Sequence, residues 1–146
     1  MANFSIRTSV QVVPIEQIAF ADATQTASGI HSTIDRSFAA SITTNCGTTI
    51  AKVQGGTTTI PGEQTTFLSG FITGGTHLYY LYIKNTGASA ITLKSVDGAS
   101  VLVVSTINPN GFLVLTPEAV FSNLYLDNPA VANCTIDFMA YSYDEV

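Results

Sequence analysis

Apolar and polar positions alternate through most of the chain, and helical periodicity is nearly absent. No stretch holds apolar residues at i, i+3, i+4 and i+7 over three turns, while β-branched residues punctuated by Gly and Asn recur throughout. The pattern predicts a nearly all-β chain of short strands. Residues 4–13 alternate with Phe4, Ile6, Val10 and Val12 on one parity, broken at Thr8, and Pro14 ends or edges that strand. Residues 15–22 fit one helical turn or a short strand equally, and the small, polar run 23–29 reads as a loop. Strands are expected at 38–44 and 48–53, joined around Asn45, Cys46 and Gly47, with Gly55 and Gly56 closing the second. The dipeptide Pro61-Gly62 marks a turn after 57–60, residues 65–69 resume a strand, and Gly74-Gly75 breaks the chain again.

The run 78–95, LYYLYIKNTGASAITLKS, reads as a strand, a turn and a second strand. Alternation sends Tyr79, Leu81 and Ile83 to the core with Ile91 and Leu93 across the turn. The opposite face then carries Tyr80, Tyr82 and Lys84, with Thr92 and Lys94 beside them, a set of hydroxyl-tipped rings and amines suited to contact outside the fold. After a turn at 96–98, strands follow at 100–105, 111–115, 121–126 and 134–143, with turn residues at 108–111 and 127–129 between them. Spacing of about 8–12 residues between short strands predicts an all-β, single-domain β-sandwich over 1–146, Greek-key or jelly-roll-like in connection, with 1–13 as an N-terminal strand or arm. No linker, low-complexity tract or convincing internal repeat stands out.

Composition sharpens this picture. Hydrophobic residues at 46% supply a core, but charged residues at 10% fall far below the roughly 25% usual for soluble domains. Charge depletion is also the signature of interface centres, so much of the surface is expected to be covered by other chains. A net charge of −5 with five basic residues, Arg7, Arg36, Lys52, Lys84 and Lys94, argues against a surface that tracks phosphates, and nucleic acid is not expected as a partner. No apolar run approaches the roughly 20 residues that span a bilayer, so no membrane contact is expected. The N-terminal residues lack the pattern of a secretory signal, so folding is expected in a cytoplasm. Cys46 and Cys134 lack CxxC spacing; two free, buried thiols are the first reading and a disulfide the second.

Candidate chemistry is sparse. The only bases of the histidine type are His31 and His77, neither in a recognisable motif, and His77 reads as a hydrogen-bonding residue at a strand edge. Asp97, Glu118, Asp127 and Asp137 fall on different turns or strand ends, and without Trp a sugar-cleaving cleft is poorly supported. No metal, cofactor or phosphate motif occurs, so no enzyme activity, metal or cofactor is expected. The candidate protein-contact residues are therefore Tyr80, Tyr82, Lys84 and Lys94, with Phe4 and Ile6 on a first strand able to join a neighbouring sheet edge.

The hairpin run 81–93 with its YIKNTG core, the run INPNGFLVL at 107–115 and the ending TIDFMAYSYDE at 135–145 resemble small virion proteins of tailed bacteriophages. The resemblance covers roughly the C-terminal half. It implies a non-enzymatic capsid decoration or cement protein on the virion surface, often a homotrimer, with the major capsid protein as partner. It carries over no family residue, because no signature motif aligns. A receptor- or carbohydrate-binding module of a phage tail or fibre, using the same tyrosines as stacking platforms, is the alternative.

Overall fold

The computed structural model describes residues 4–12, 15–19, 26–30, 38–47, 53–73, 75–116 and 119–143. Thirteen strands follow along these residues: β1 Phe4–Val12, β2 Ile15–Ala19, β3 Thr26–Ile30, β4 Phe38–Gly47, β5 Val53–Ile60, β6 Gln64–Phe67, β7 His77–Asn85, β8 Ile91–Asp97, β9 Ser100–Ile107, β10 Phe112–Leu115, β11 Ala119–Val120, β12 Leu124–Asn128 and β13 Cys134–Tyr143. They belong to two compact units, Ser5–Asn45 and the remainder from Cys46 onward together with the first four residues. In the first third, β1 pairs with β4 and β2 with β3, Ile15 lying opposite Ile30. The run 15–22, open between helix and strand on pattern alone, holds a strand. The expected loop at 23–29 also gives way to strand from Thr26, because β2 supplies the partner that a run of small residues lacks by itself.

The second unit is a sandwich of two antiparallel four-stranded sheets. One has the order β10-β7-β13-β5, with short β11 also pairing with β7, and the other has the order β6-β12-β8-β9. The ladders are nested: β5 pairs with β13, β6 with β12, β7 with β10 and β8 with β9. This unit is thus one long ribbon doubled at Gly98 and folded over on itself, the strand order of a jelly roll. Gly98 makes the innermost turn in the left-handed region at φ 59°. Between the sheets lie Ile60, Leu78, Leu81, Ile83, Ile136 and Ala140 from one layer and Ile91, Leu93, Ile107, Leu124 and Leu126 from the other, closed at the side by Leu68 and Ile72.

Three expectations change here. β7 and β8 do not form a hairpin: they lie in different sheets, and the connection 86–90 crosses between layers. The reason is Asn85, fully buried at the end of β7. Its Nδ2 donates to the carbonyls of Ser89 (2.7 Å) and Ile107 (2.9 Å), and its Oδ1 accepts from the Gly87 N–H (2.9 Å) and the Cys134 thiol (3.1 Å). A side chain that holds both ends of the connection and a strand of the other sheet turns the chain across the sandwich. Gly87 is required for this: a Cβ there would stand 2.6 Å from Cys134 Sγ and 3.0 Å from the Thr135 nitrogen. Second, Gly55 and Gly56 do not end a strand but sit inside β5, opposite Met139 and Phe138. The Phe138 ring lies over Gly56 and packs edge-on against Phe71, centroids 4.9 Å apart, so the aromatic ring covers what the glycine leaves bare. Asn45, Cys46 and Gly47, expected as a turn, continue β4; residues 48–52, Pro14 and Gly74 lie outside the described residues.

A second asparagine repeats the device. Asn128, also fully buried, ends β12 before the crossing 129–133. Its Oδ1 accepts from the Ala130 N–H (3.2 Å), and its Nδ2 donates to the carbonyls of Ala132 (3.0 Å) and Ile60 (3.1 Å). In both loops the side chain accepts from residue i+2 and donates to residue i+4 and to the other sheet. The sequences agree: LYIKNTGASAITL at 81–93 and LYLDNPAVANCTI at 124–136 share Leu, Tyr, Asn and Thr at matching positions. The two runs therefore form a short internal repeat, each copy crossing from one sheet to the other in opposite directions, which divergence at the loop positions hides in the sequence.

Candidate interaction surfaces

The register of β7 places its side chains. Leu78 and Leu81 are both fully buried although three residues apart, which strict alternation forbids. A bulge reconciles them: Tyr141 pairs with Tyr80 and Ser142 with Leu78, so one residue of β13 step matches two of β7. Tyr79 is the extra residue. It is therefore not a core side chain, as alternation predicts, but stands 40% exposed on the outer side with its ring edge-on to Tyr141, centroids 6.1 Å apart. Tyr80 is only 4% exposed yet is not part of the inter-sheet cluster, so its ring is a covered outer-face residue and is not open for contact.

Beyond the bulge the expected parity holds. Leu81 and Ile83 enter the core, and Tyr82 and Lys84 face outward, both half-buried. Across the strands Val114, Tyr82 and Met139 form one row, and Phe112, Lys84, Asp137 and Thr57 the next. The Tyr82 and Phe112 rings lie 6.4 Å apart, and Thr57 Oγ1 donates to Asp137 Oδ1 at 2.7 Å. Phe112 and Met139 remain exposed. Asp137 is thus directly opposite Lys84 at the centre of an otherwise apolar face.

Lys94 does not share this face. With β8 in the other sheet, its ammonium lies on the opposite outer surface, 2.6 Å from Asp127 Oδ2. There the rows are Phe67, Tyr125, Lys94 and Val103, then Thr65, Asp127, Thr92 and Thr106. Phe67 and Tyr125 stack at a tilt, centroids 5.4 Å apart, with Phe67 the exposed ring. The hydrogen bond to Asp127, reinforced by its charge, holds the Lys94 ammonium above its usual 10.5 against the opposing effect of partial burial. Each outer face therefore carries one tyrosine from the repeat, Tyr82 or Tyr125, beside facing Lys and Asp residues with the signs exchanged between copies. Phe67 and Tyr125 are not among the contact residues expected from the sequence, and Asp127 enters there only as a carboxylate for sugar cleavage; the match of LYLDN to LYIKN is the available signal for Tyr125 and Asp127, and Phe67 has none.

Phe4 and Ile6 lie on β1, which pairs with β4 of the same chain; their side chains lie outside the described residues. His77 opens β7, half-exposed, with Nδ1 3.0 Å from the hydroxyl of neighbouring Thr76. His31 and Glu118 lie outside the described residues. Asp127 and Asp137 stand on opposite outer faces and do not converge. Cys134 is a free, fully buried thiol, which burial pushes above its usual 9.0 despite backbone hydrogen bonds that pull the other way.

No protein-family description matches the chain, and no curated protein does. Among solved structures, a CooA mutant from Carboxydothermus hydrogenoformans aligns with TM-score 0.36 and 5% identity over 57% of this chain and 47% of that one. The Yersinia pseudotuberculosis-derived mitogen aligns with TM-score 0.37 and 13% identity over 64% of this chain and 88% of that one.

Proposed function

We propose that the protein is a non-enzymatic virion component, a capsid decoration protein that stabilises a shell by bridging capsomers. The observation that carries this reading is apolar surface left open on a chain in which only 10% of residues are charged. Phe112, Met139 and Tyr79 are exposed on one sheet face, Phe67 on the other, and Val101, Leu102, Val103 and Val104 along β9. Scattered single residues of this kind are ordinary, but a run of them beside rings and few charges marks contact surfaces. A decoration protein works by removing such surface from water across neighbouring shell subunits. Several interfaces of about 1,600 Å² engaged through one oligomer hold firmly by avidity even where each contact alone is modest. The Tyr82–Phe112 face, with one lysine and one aspartate to set register, suits that task.

Co-sedimentation with empty capsids assembled from a phage major capsid protein drawn from the same source as this chain tests the reading. Binding is expected to saturate on the shell lattice, and a Tyr82→Ala, Phe112→Ala double variant is expected to bind at least about tenfold more weakly while keeping its fold. Failure of the folded protein to bind any such shell removes the reading.

The face of the second sheet favours the alternative, a carbohydrate-binding module. The exposed Phe67 ring backed by Tyr125, beside Asp127, Lys94 and the Thr65 and Thr92 hydroxyls, combines a stacking platform with hydrogen-bonding groups. Glycan-array binding abolished by Phe67→Ala, without shell binding, would select it.

A further inference from the structure

The strongest unpartnered feature is the β8–β9 ribbon. β9 is the end strand of its sheet, so its outer backbone edge has no partner strand among the described residues. β12 flanks β8 only as far as Ser95, opposite Leu124. Beyond that point Val96 pairs with Val101 and Asp97 with Ser100 in a two-stranded ribbon. Two-stranded ribbons are marginal in water unless an apolar face is covered. Along β9, in this ribbon and in the three-stranded part beside it, Val101 is 55% exposed, Leu102 65%, Val103 61% and Val104 43%, so apolar side chains are open on both faces of the strand. Native edge strands are usually blunted by charge or proline, and the run 100–106 has neither. Its one protective device is a bulge at Val104, where Leu93 pairs with Ser105 and Lys94 with Val103.

We propose that β9 pairs antiparallel with β9 of a second copy of this chain, joining two four-stranded sheets across a two-fold axis. The strand's own near-palindromic sequence selects this occupant, and charge selects the place. Two copies carrying −5 each repel one another, and association is least opposed where the contact has no ionisable group. Residues 100–106 meet that condition. An isologous contact must also suit itself. The run Ser100-Val-Leu-Val-Val-Ser105 reads nearly the same from either end, so an antiparallel dyad sets only apolar and hydroxyl side chains against one another. The exposed Asp97 of each copy then lies near the far end of its partner's strand. With the axis near Leu102, the two Asp97 residues are separated by about ten strand residues, roughly 33 Å, several Debye lengths at physiological salt. The stoichiometry is two-fold, unlike the trimer that the resemblance implies, and it does not depend on the proposed shell binding.

Sedimentation equilibrium of the full chain tests this, at up to about 100 μM because a single added strand lies at the small end of specific interfaces. The expected result is twice the chain mass of 15.4 kDa. Leu102→Lys and, separately, Val103→Lys are expected to yield monomers with unchanged far-ultraviolet circular dichroism. Leu102→Cys is expected to give a covalent dimer on mild oxidation, whereas Asn110→Cys, exposed on another turn, remains uncrosslinked. A wild type that is monomeric at 100 μM or trimeric, or folded lysine variants that stay dimeric, overturns the proposal. Shell co-sedimentation is read separately, so loss of either result leaves the other interpretable.

Discussion

Two asparagines carry more of this fold than their size indicates. Each buried side chain saturates hydrogen-bonding groups that the surrounding loops otherwise leave bare, Asn85 with four partners and Asn128 with a similar set. Asn85→Ala leaves the Gly87 N–H and the carbonyls of Ser89 and Ile107 without that partner, and urea unfolding should show a loss of about 3–5 kcal/mol. Asn85→Asp should cost no less, since it removes both donors and buries a carboxylate. The alkaline limb is a second residue-scale outcome. Lys94 and Cys134 both titrate higher in the folded chain than their ordinary values of 10.5 and 9.0, so both contributions are complete at neutral pH and are lost as pH rises. The urea midpoint should therefore fall above about pH 9, first through Cys134 and then through Lys94. Cys134→Ala should remove the earlier part of that fall.

At the scale of elements, two outward tyrosines of β7 beyond the bulge differ in how far they are covered. Tyr80→Ala strips a covered ring and should destabilise by about 2–4 kcal/mol, whereas Tyr82→Ala, on a half-open face, should cost less than about 1.5 kcal/mol by thermal or urea unfolding. A joint Tyr80, Tyr82 variant therefore confounds folding with contact. The turns separate in the same manner. Gly87→Ala meets backbone and sulfur that cannot move and should cost about 2–3 kcal/mol, while Gly98→Ala meets open space and should cost only about 1 kcal/mol, for its left-handed φ of 59°. Gly98→Asn should be better tolerated than Gly98→Ala, because Asn adopts that conformation more readily. The crossing 86–90 explains why a run with hairpin spacing is no hairpin: its partners across the ladder are β10 and β13 for β7, and β12 and β9 for β8.

For the sandwich as a whole, the nested ladders put the two candidate faces on opposite sides of the core, with two-sheet thickness of roughly 10 Å between layers. The faces share no residue, so Tyr82→Ala and Phe67→Ala should add in their effects on stability to within about 0.5 kcal/mol. They should not add in binding: a shell contact uses the first, a sugar the second. The same nesting pairs residues at the two ends of the unit, Val53 with Tyr141 and Ile60 with Cys134. Such pairs close last, since loop-closure entropy opposes them until the inner ribbon has formed.

Alternation together with the spacing of turn residues determined the all-β class, the sandwich, β13 to the residue, and the outward side of Tyr82 and Lys84, because side-chain period and turn chemistry are local properties of the chain. Which strands became neighbours was decided only in three dimensions. A five-residue connection fits a hairpin or a crossing equally well on paper, and the choice fell to Asn85, whose partners at Ile107 and Cys134 are remote in sequence. That choice carried Lys94 to the far face. The bulge at Tyr79 exists only against β13, and the apolar edge of β9 is an edge only because the sheet ends there. Register and neighbours are properties of pairs, and one strand read by itself contains only half of each.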